Sequence, residues 1–198
     1  QRDYLQKVHD AATMLLGVLN DILDFSKIEA GKLTLESVPC RLEEVVGGAL
    51  MLLRERAQAK DLELVCDYEQ PELLGEAGSF RADPLRLGQV LLNLLSNAVK
   101  FTESGWVRLC VQPMERAGDR QRLRFEVSDS GIGVDEAAQQ RLFGAFEQAD
   151  VSTTRRFGGT GLGLALSQQL ALAMHGTLTV DSVEGQGSTF TLELPCLP

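Results

Sequence analysis

Three polar segments of the chain carry the residue types of a nucleoside triphosphate site. Residues 93–102 (NLLSNAVKFT) place two asparagines and a lysine at helical spacing. Residues 129–133 (DSGIG) put an acid before two glycines in a predicted turn, and residues 158–164 (GGTGLGL) form a glycine-rich run that leads into a predicted helix. Each segment alone is a weak signal, but the ordered set predicts metal, base and phosphate binding in one site.

The first segment presents two amide side chains on one helix face. Asn93 and Asn97 are four residues apart, and Lys100 and Phe101 follow on or beside the same face. Amide oxygens are hard ligands that suit Mg²⁺, and an ammonium group suits a phosphate. On spacing alone, the two asparagines could equally cap or bridge groups within a buried helix.

The second segment holds a single acid, Asp129, after a predicted strand and before Gly131 and Gly133. A carboxylate in such a turn can accept a hydrogen bond from an exocyclic amine, while the glycines let a backbone approach closely. An ordinary turn aspartate has the same sequence signature, so the residues alone leave both interpretations open.

The third segment is suited to bind phosphate through its backbone. N–H groups at a helix start attract anions, and glycine lets a phosphate come near. The run fits neither a Walker A loop nor a dinucleotide fingerprint. Arg155 and Arg156, just upstream, could reach a γ-phosphate or could be ordinary exposed charge. The candidate residues of the loop are Gly158, Gly159, Thr160, Gly161, Leu162 and Gly163.

In this order, the segments resemble the N, G1 and G2 boxes of the ATP-binding domain of sensor histidine kinases. Phe143 and Phe146 match that family's F box, although aromatic residues at this spacing are also common in simple packing. Residues 20–32 (NDILDFSKIEAGK) look like the end of the dimerisation-and-phosphotransfer hairpin of hybrid-type members. The resemblance covers nearly the whole chain. It implies a two-layer α/β sandwich of the histidine kinase/gyrase type, an α+β fold preceded by a long helix.

The resemblance also implies roles for particular residues, with ATP and Mg²⁺ as cofactors. Asn93 and Lys100 would lie near the phosphates as catalytic residues, and Asn97 would be the Mg²⁺ ligand. Asp129 would read the adenine amino group, under a lid formed by residues 134–160. The residues implied to bind the nucleotide are Asn97, Phe101, Asp129, Gly131, Gly133, Arg156, Gly159, Thr160, Gly161, Leu162 and Gly163.

A phosphoacceptor histidine is missing from this pattern. The chain has only His9 and His175. In the family, the acceptor histidine is followed by an acid and, a few residues later, by a proline. His9 is followed by an acid but not by a proline. The family's acceptor also lies on the first helix of the hairpin, whereas residues 20–32 resemble the end of the second helix. We therefore expect His9 to be a surface histidine, His175 to end a helix, and the acceptor to lie outside this sequence. The chain by itself is then not expected to autophosphorylate.

The elements that must position these segments are predicted by their periodicity. Apolar residues recur at heptad spacing over residues 4–28, in a stripe wide enough for a helical bundle. Gly31 is predicted to cap this helix, and an extended connector follows up to Pro39. Further helices are predicted over 42–59, 84–100 (with Asp83 as its cap), 136–143 and 164–174. Strands are predicted over 62–68, 106–113, 123–128, 177–181 and 188–194.

We expect two units in the chain. Residues 1–37 would be a partial dimerisation and phosphotransfer region, comprising its second helix and a connector. Residues 38–198 would be the ATP-binding catalytic domain. The apolar stripe over 4–28 predicts a homodimer, or a heterodimer with another kinase, and the resemblance implies a receiver domain or response regulator as the relay partner.

The composition of the chain further limits the classes of protein to which it could belong. With 198 residues, 44% of them hydrophobic, the chain can bury a core, and its net charge of −9 argues against nucleic acid and anionic membranes as partners. No run approaches the ~20 apolar residues of a membrane span. Scattered cysteines without a paired motif are typical of reduced thiols. We expect a cytoplasmic fragment of a bacterial protein that another segment could anchor in the inner membrane.

Three functions from different classes fit these observations. The leading one is phosphoryl transfer from ATP to a histidine in a two-component signalling phosphorelay. The second is a kinase-like nucleotide-binding module that regulates a partner kinase through its helical region. The third is an ATPase of the same superfamily, which Asn93 argues against, because the related gyrase and mismatch-repair ATPases carry a glutamate there as general base for water.

Overall fold

The computed structural model describes residues 2–75, 79–114, 121–145 and 161–196. Its helices are α1 (Arg2–Glu29), α2 (Leu42–Ala59), α3 (Pro84–Phe101), α4 (Glu136–Gln139) and α5 (Gly163–Ala173). Its strands are β1 (Val38–Arg41), β2 (Glu63–Tyr68), β3 (Ser79–Ala82), β4 (Trp106–Pro113), β5 (Gln121–Asp129), β6 (Thr177–Val183) and β7 (Gly187–Cys196). The predicted α+β fold is confirmed, and α4 is shorter than the predicted helix.

Five strands form one mixed sheet, in the order β2-β4-β5-β7-β6. Strands β2 and β4 are parallel, and the other neighbours are antiparallel. Along β5 every second residue is buried, so that Leu123, Phe125 and Val127 face the helices. Asp129 continues this row at the end of the strand. The period of the strand therefore directs the Asp129 carboxyl group toward the helix layer.

Helix α3 contacts α2, α5, β4 and β5. Its apolar residues recur every three or four positions and are fully buried, as Leu87, Leu91 and Leu94 illustrate. Pro84 occupies the first turn, and an Asp83 carboxylate oxygen accepts a hydrogen bond from the Arg86 backbone N–H at 3.0 Å. The predicted cap of this helix is confirmed. A helix fixed at its start and buried on one face is a rigid support for the polar residues near its end.

A second, two-stranded sheet was not predicted. Strand β1 pairs antiparallel with β3, and Val38 lies opposite Ala82. The connector predicted to be extended up to Pro39 therefore ends in a paired strand. Each strand is only four residues long, and its partner lies about forty residues away in the chain. Strands this short carry no periodicity that identifies the pairing.

Helix α1 packs against α5 and, near its end, contacts α3, while many of its apolar side chains stay exposed. Val18 and Phe25 are half-buried, whereas Leu15 and Leu19 are 61% and 48% exposed. Gly31 follows the helix with a φ of +64°, which confirms it as the predicted C-terminal cap. The apolar stripe predicted from the heptads is thus only partly covered.

A polar cluster joins α1 to the first turn of α3. The Arg86 guanidinium makes two hydrogen bonds to the Asp24 carboxylate, at 2.5 and 3.1 Å, and the Gln89 amide donates a third at 3.3 Å. Both charged side chains are largely buried, with 15% and 13% of their surface exposed. This bidentate pair orients the end of α1 relative to the helix that carries the asparagines.

Candidate functional site

Asn93 lies on the side of α3 that faces α5. Its side-chain N–H donates a hydrogen bond to the Ser167 hydroxyl oxygen at 2.9 Å. Ser167 is 2% exposed, so this bond is made inside the helix layer. Sequence analysis did not select Ser167. The available signal was the single hydroxyl of the helix predicted over 164–174, four residues after Gly163.

The start of α5 touches Asn93 directly. A Cβ atom built on Gly163 would lie 2.5 Å from the Asn93 side-chain oxygen, well inside normal contact. Only glycine leaves room for that oxygen at this position. The N-terminal backbone of α5, which can bind an anion, is therefore placed beside the first asparagine of the predicted site.

Asp129 is a buried carboxylate at the end of β5, with 7% of its surface exposed. Burial raises the pKa of its carboxyl group, although hydrogen bonds from the backbone N–H groups of Gly131 and Ser188 act in the opposite direction. The Gly131 bond is 2.8 Å long. A buried acid with two backbone donors is oriented by the protein, and it can accept a hydrogen bond from a ligand.

The turn after Asp129 packs on the end of α3. A Cβ atom on Gly131 would lie 2.6 Å from the Phe101 carbonyl oxygen, and the Ile132 N–H donates to that same oxygen at 3.4 Å. Gly133 follows with a φ of +65°. The second predicted segment therefore meets the first at Phe101. Asn93 and Phe101 are eight residues apart, or about 12 Å along the helix.

Lys100 and Phe101 are neighbours in space as well as in sequence. The Lys100 ammonium lies 4.7 Å from the centroid of the Phe101 ring, a cation–π distance. Desolvation by burial lowers the pKa of Lys100. An ammonium that has lost part of its hydration interacts more strongly with a bound phosphate than an exposed lysine does.

Asn97 lies one turn after Asn93 on α3 and is half-buried. Its amide oxygen is of the ligand class that Mg²⁺ accepts, and Mg²⁺ at phosphate sites usually combines one or two protein ligands with phosphate oxygens and waters. In the described part of the chain, no group of three or more His, Cys, Asp or Glu side chains could hold a metal ion.

Only part of the glycine-rich segment can be placed. Gly161 has a φ of +70°, and Leu162 is buried at the start of α5. Phe143 is half-buried and packs against the core. The predicted site residues outside the described part of the chain are Phe146, Arg155, Arg156, Gly158, Gly159 and Thr160.

The two histidines lie apart from these groups. His9 is exposed on α1, and His175 is exposed directly after α5 with a φ of +61°. The backbone N–H groups of His175 and Gly176 bond back to Leu172 and Ala171 at 2.9 and 2.8 Å, a helix-ending pattern. His175 thus ends a helix, as predicted. No helix in the described residues has the length and apolar character of a membrane span.

The chain is similar to known proteins over most of its length. The model of the family described as "Histidine kinase-, DNA gyrase B-, and HSP90-like ATPase" matches residues 82–198. The chain is 47% identical over 196 residues to the circadian input-output histidine kinase CikA of Synechococcus elongatus, covering 98% of this chain and 25% of that protein. It is 42% identical over 190 residues to the signal transduction histidine-protein kinase BarA of Escherichia coli K12, covering 96% and 20%.

A solved structure is similar over the full length of the chain. The crystal structure of full-length ShkA in complex with AMPPNP superposes with a TM-score of 0.81 at 36% identity, covering 100% of this chain and 39% of that one. The chain spans a quarter or less of the length of the two curated relatives. The similarity therefore concerns one catalytic segment of longer proteins.

Proposed function

We propose that this chain transfers the γ-phosphate of Mg²⁺-bound ATP to a histidine outside this sequence. The chain belongs to the histidine kinase-, DNA gyrase B- and HSP90-like ATPase family, and it is an ATP-binding catalytic domain of the sensor histidine kinase type. The phosphoryl group would then pass to an aspartate of a receiver domain or response regulator. In this proposal residues 38–198 are the catalytic domain, and residues 1–37 are the second helix and connector of the dimerisation and phosphotransfer region.

One observation carries the proposal. Helix α3 is touched by both of the other predicted segments, by Gly163 at Asn93 and by Gly131 at Phe101. A buried carboxylate thus stands near one end of the contact and a helix start near the other. The separation of about 12 Å between the two contacts suits a ligand with a base at one end and a polyphosphate at the other.

Selection of the base is assigned to Asp129. The carboxylate accepts hydrogen bonds and donates none when ionised, so it fits the exocyclic amine of adenine and opposes the carbonyl oxygen of guanine at the same position. Its bonds from Gly131 and Ser188 orient the carboxyl group before a ligand arrives. Phe101, whose carbonyl the turn contacts, would pack beside the nucleotide.

Binding of the polyphosphate is assigned to Asn93, Asn97 and Lys100 in the second half of α3 and to the start of α5. Asn97 would hold Mg²⁺, which supplies charge neutralisation for the phosphates when it is bound. Asn93, oriented by Ser167, and the partly desolvated Lys100 would complete the surroundings of the transferring group. Phosphoryl transfer depends mainly on positioning and charge stabilisation, which these residues can provide. Arg156, Gly159 and Thr160 remain predicted contacts.

The test is calorimetric titration with ATP, with and without Mg²⁺, on the wild-type chain and on Asn97→Ala and Asp129→Asn. We expect adenine-selective binding by the wild type. Asn97→Ala should abolish the Mg²⁺-dependent part, and Asp129→Asn should abolish the preference for adenine over guanine. A folded wild-type chain that binds no ATP would overturn the proposal and favour the interaction-module function instead.

Association through α1 is a second part of the proposal. Its exposed leucines form one stripe with Val8 and Ile22, and the stripe is apolar over several helical turns. We propose that a second copy, or another kinase, covers this stripe. Leu15→Glu or Leu19→Glu should weaken dimerisation by at least about tenfold, because each buries a charge in an apolar seam. Light scattering that finds only monomer at high concentration would contradict this part.

A further inference from the structure

Lys60, the residue directly after α2, makes three hydrogen bonds to the end of α3. Its ammonium nitrogen donates to the carbonyl oxygens of Val99, Lys100 and Thr102 at 2.7, 2.8 and 3.1 Å. An ammonium group has three N–H donors, so these bonds use its full capacity. Three main-chain carbonyls from one short segment therefore converge on one side chain from another helix.

The end of a helix needs such partners. The last carbonyls of a helix have no N–H group of their own turn to accept from, and the helix dipole places partial negative charge there. A cation at this position satisfies both demands. The side chain of Thr102 adds a bond to the Ala98 carbonyl at 2.7 Å, and Thr102 is fully buried. The final turn of α3 is thus fixed by Lys60 and by its own cap.

Between Val99 and Thr102, the Phe101 carbonyl is the one that does not accept a hydrogen bond from Lys60. It is contacted instead by the turn that follows Asp129. The Phe101 carbonyl accepts from the Ile132 N–H, and Gly131 lies against it. Gly131 in turn donates to Asp129. An unbroken series of contacts therefore runs from Lys60 through the end of α3 to the carboxylate assigned to the base.

Lys60 itself is attached to a rigid support. Its backbone N–H bonds to the Ala57 carbonyl at 3.1 Å, and the Leu62 N–H bonds to the same carbonyl at 3.0 Å. The Glu63 N–H then bonds to the Gly105 carbonyl at 2.9 Å, where the chain leaves α3 and enters β4. The side chain of Lys60 is therefore presented from a fixed turn rather than from a free loop.

We infer that Lys60 is a positioning residue for nucleotide binding: it sets the last turn of α3, and through that turn the places of Lys100 and of the Asp129 carboxylate. The inference rests on the proposed function, because it assigns Lys60 to the same ATP site. Within the described residues, the hydrogen bonds of the Lys60 side chain go to main-chain carbonyls and not to the side chains predicted to bind the nucleotide. Its effect passes through the main chain of the residues that carry those side chains.

The experiment compares Lys60→Gln with Arg56→Gln. Arg56 lies in the last turn of α2 and is exposed, so the control removes the same charge from the same helix end. ATP affinity is measured by calorimetry well below the melting temperature, and backbone amide NMR spectra are recorded for each variant without nucleotide. We expect Lys60→Gln to weaken ATP binding by about fivefold to tenfold and to move the amide signals of Phe101, Gly131 and Ile132. Arg56→Gln should do neither.

A purely structural role gives a different pattern. Lys60→Gln would then lower the melting temperature and leave both the ATP affinity of the folded protein and the Gly131 and Ile132 signals unchanged, which overturns the inference. Should Lys60→Gln fail to fold, Lys60→Met keeps a side chain of similar length but removes all three donors, and a folded Lys60→Met with wild-type affinity and unmoved signals would overturn the inference equally. Absence of ATP binding by the wild-type chain would instead refute the proposed function.

Discussion

The five-stranded sheet with helices α2, α3 and α5, here called the body, differs from helix α1 in how its apolar residues are placed. In the body, Leu91, Leu94 and Phe125 are completely buried between α3 and the sheet. In α1, the leucines at heptad positions stay about half exposed or more, as Leu19 does. The body therefore contains its own core, whereas α1 carries an apolar surface that the described chain covers only in part.

The contrast extends to the carboxylates of the two regions. Asp129 in the body is buried, and its pKa is raised. Asp24 in α1 is also withdrawn from water, which raises its pKa, but the hydrogen bonds from Arg86 and Gln89 and the charges of Arg86 and Lys27 together lower the pKa below its ordinary value. Asp129 is the acid proposed to bind adenine, whereas Asp24 already has side-chain partners on α3 and joins α1 to that helix.

The largest expected effect separates the two regions by stability. Phe125→Ala should lower the free energy of unfolding by about 3–5 kcal/mol, because it leaves a cavity in the core. Leu16→Ala on α1 should change it by less than about 0.5 kcal/mol in dilute solution, since Leu16 is 61% exposed. Denaturant unfolding measures both. Equal losses would show that α1 is part of the same core, and the comparison would fail.

The Asp24–Arg86 pair is the next point at which the comparison can be broken. Asp24→Ala leaves the largely buried Arg86 guanidinium without its carboxylate, and we expect a loss of about 2 kcal/mol in the free energy of unfolding. Glu29→Ala, an exposed acid on the same helix, is the control and should have little effect. If Asp24→Ala left the free energy of unfolding unchanged, α1 would be attached by its apolar contacts alone.

The same pair predicts a pH dependence. A carboxylate whose pKa is lowered in the folded state stabilises the protein above its unfolded pKa of about 4, and this contribution is lost as pH falls through the folded value. The difference in unfolding free energy between wild type and Asp24→Asn should therefore be largest near neutral pH and should shrink below about pH 4. A difference that grows on acidification would contradict the assigned shift.

Gly163→Ala should affect binding more than stability. Its new methyl group would meet the Asn93 oxygen and push the amide away from Ser167. We expect ATP binding to weaken by about tenfold while the protein stays folded. Gly48→Ala is the matched control, because a Cβ there meets nothing within 4 Å and alanine favours a helix. Unchanged ATP affinity in Gly163→Ala would show that the contact between α5 and α3 does not contribute to ATP binding.

The smallest expected effect concerns Asp129 and pH. Because its pKa is raised, the carboxylate takes up a proton at a higher pH than an ordinary aspartate, and it then loses its capacity to accept from adenine with full charge. ATP affinity should fall on acidification more steeply for the wild type than for Asp129→Asn, which has no such proton. Parallel pH profiles for the two proteins would argue against Asp129 as the acceptor.

Much of the fold was predictable because its elements are strongly periodic. Helix α2 and strand β4 have the predicted bounds, and the predicted caps at Asp83 and Gly31 are confirmed. The pairing of β1 with β3 was not predictable, since it joins two short segments that have no local signal for each other. The local sequence pattern identifies helices and strands well, but it does not identify which strands pair when they lie far apart in the chain.

The site was predictable in its residue types but not in its supports. Sequence order indicated Asn93, Asp129 and Gly163, and the roles of these residues stay predictions. Ser167 and Lys60 escaped notice because neither belongs to a spaced motif. Each acts through one contact that only the folded chain brings about: a hydroxyl against an amide, and an ammonium against three carbonyls.

The central claim is that this chain positions ATP for transfer to a histidine on another segment. It is tested most directly by incubating the chain with a separately supplied acceptor hairpin and ATP radiolabelled on the γ-phosphate, in the presence of Mg²⁺. The account predicts an acid-labile, base-stable label on the hairpin histidine with the wild-type chain, and none with Asn97→Ala. ATP binding by the wild-type chain without any transfer to the hairpin would contradict it.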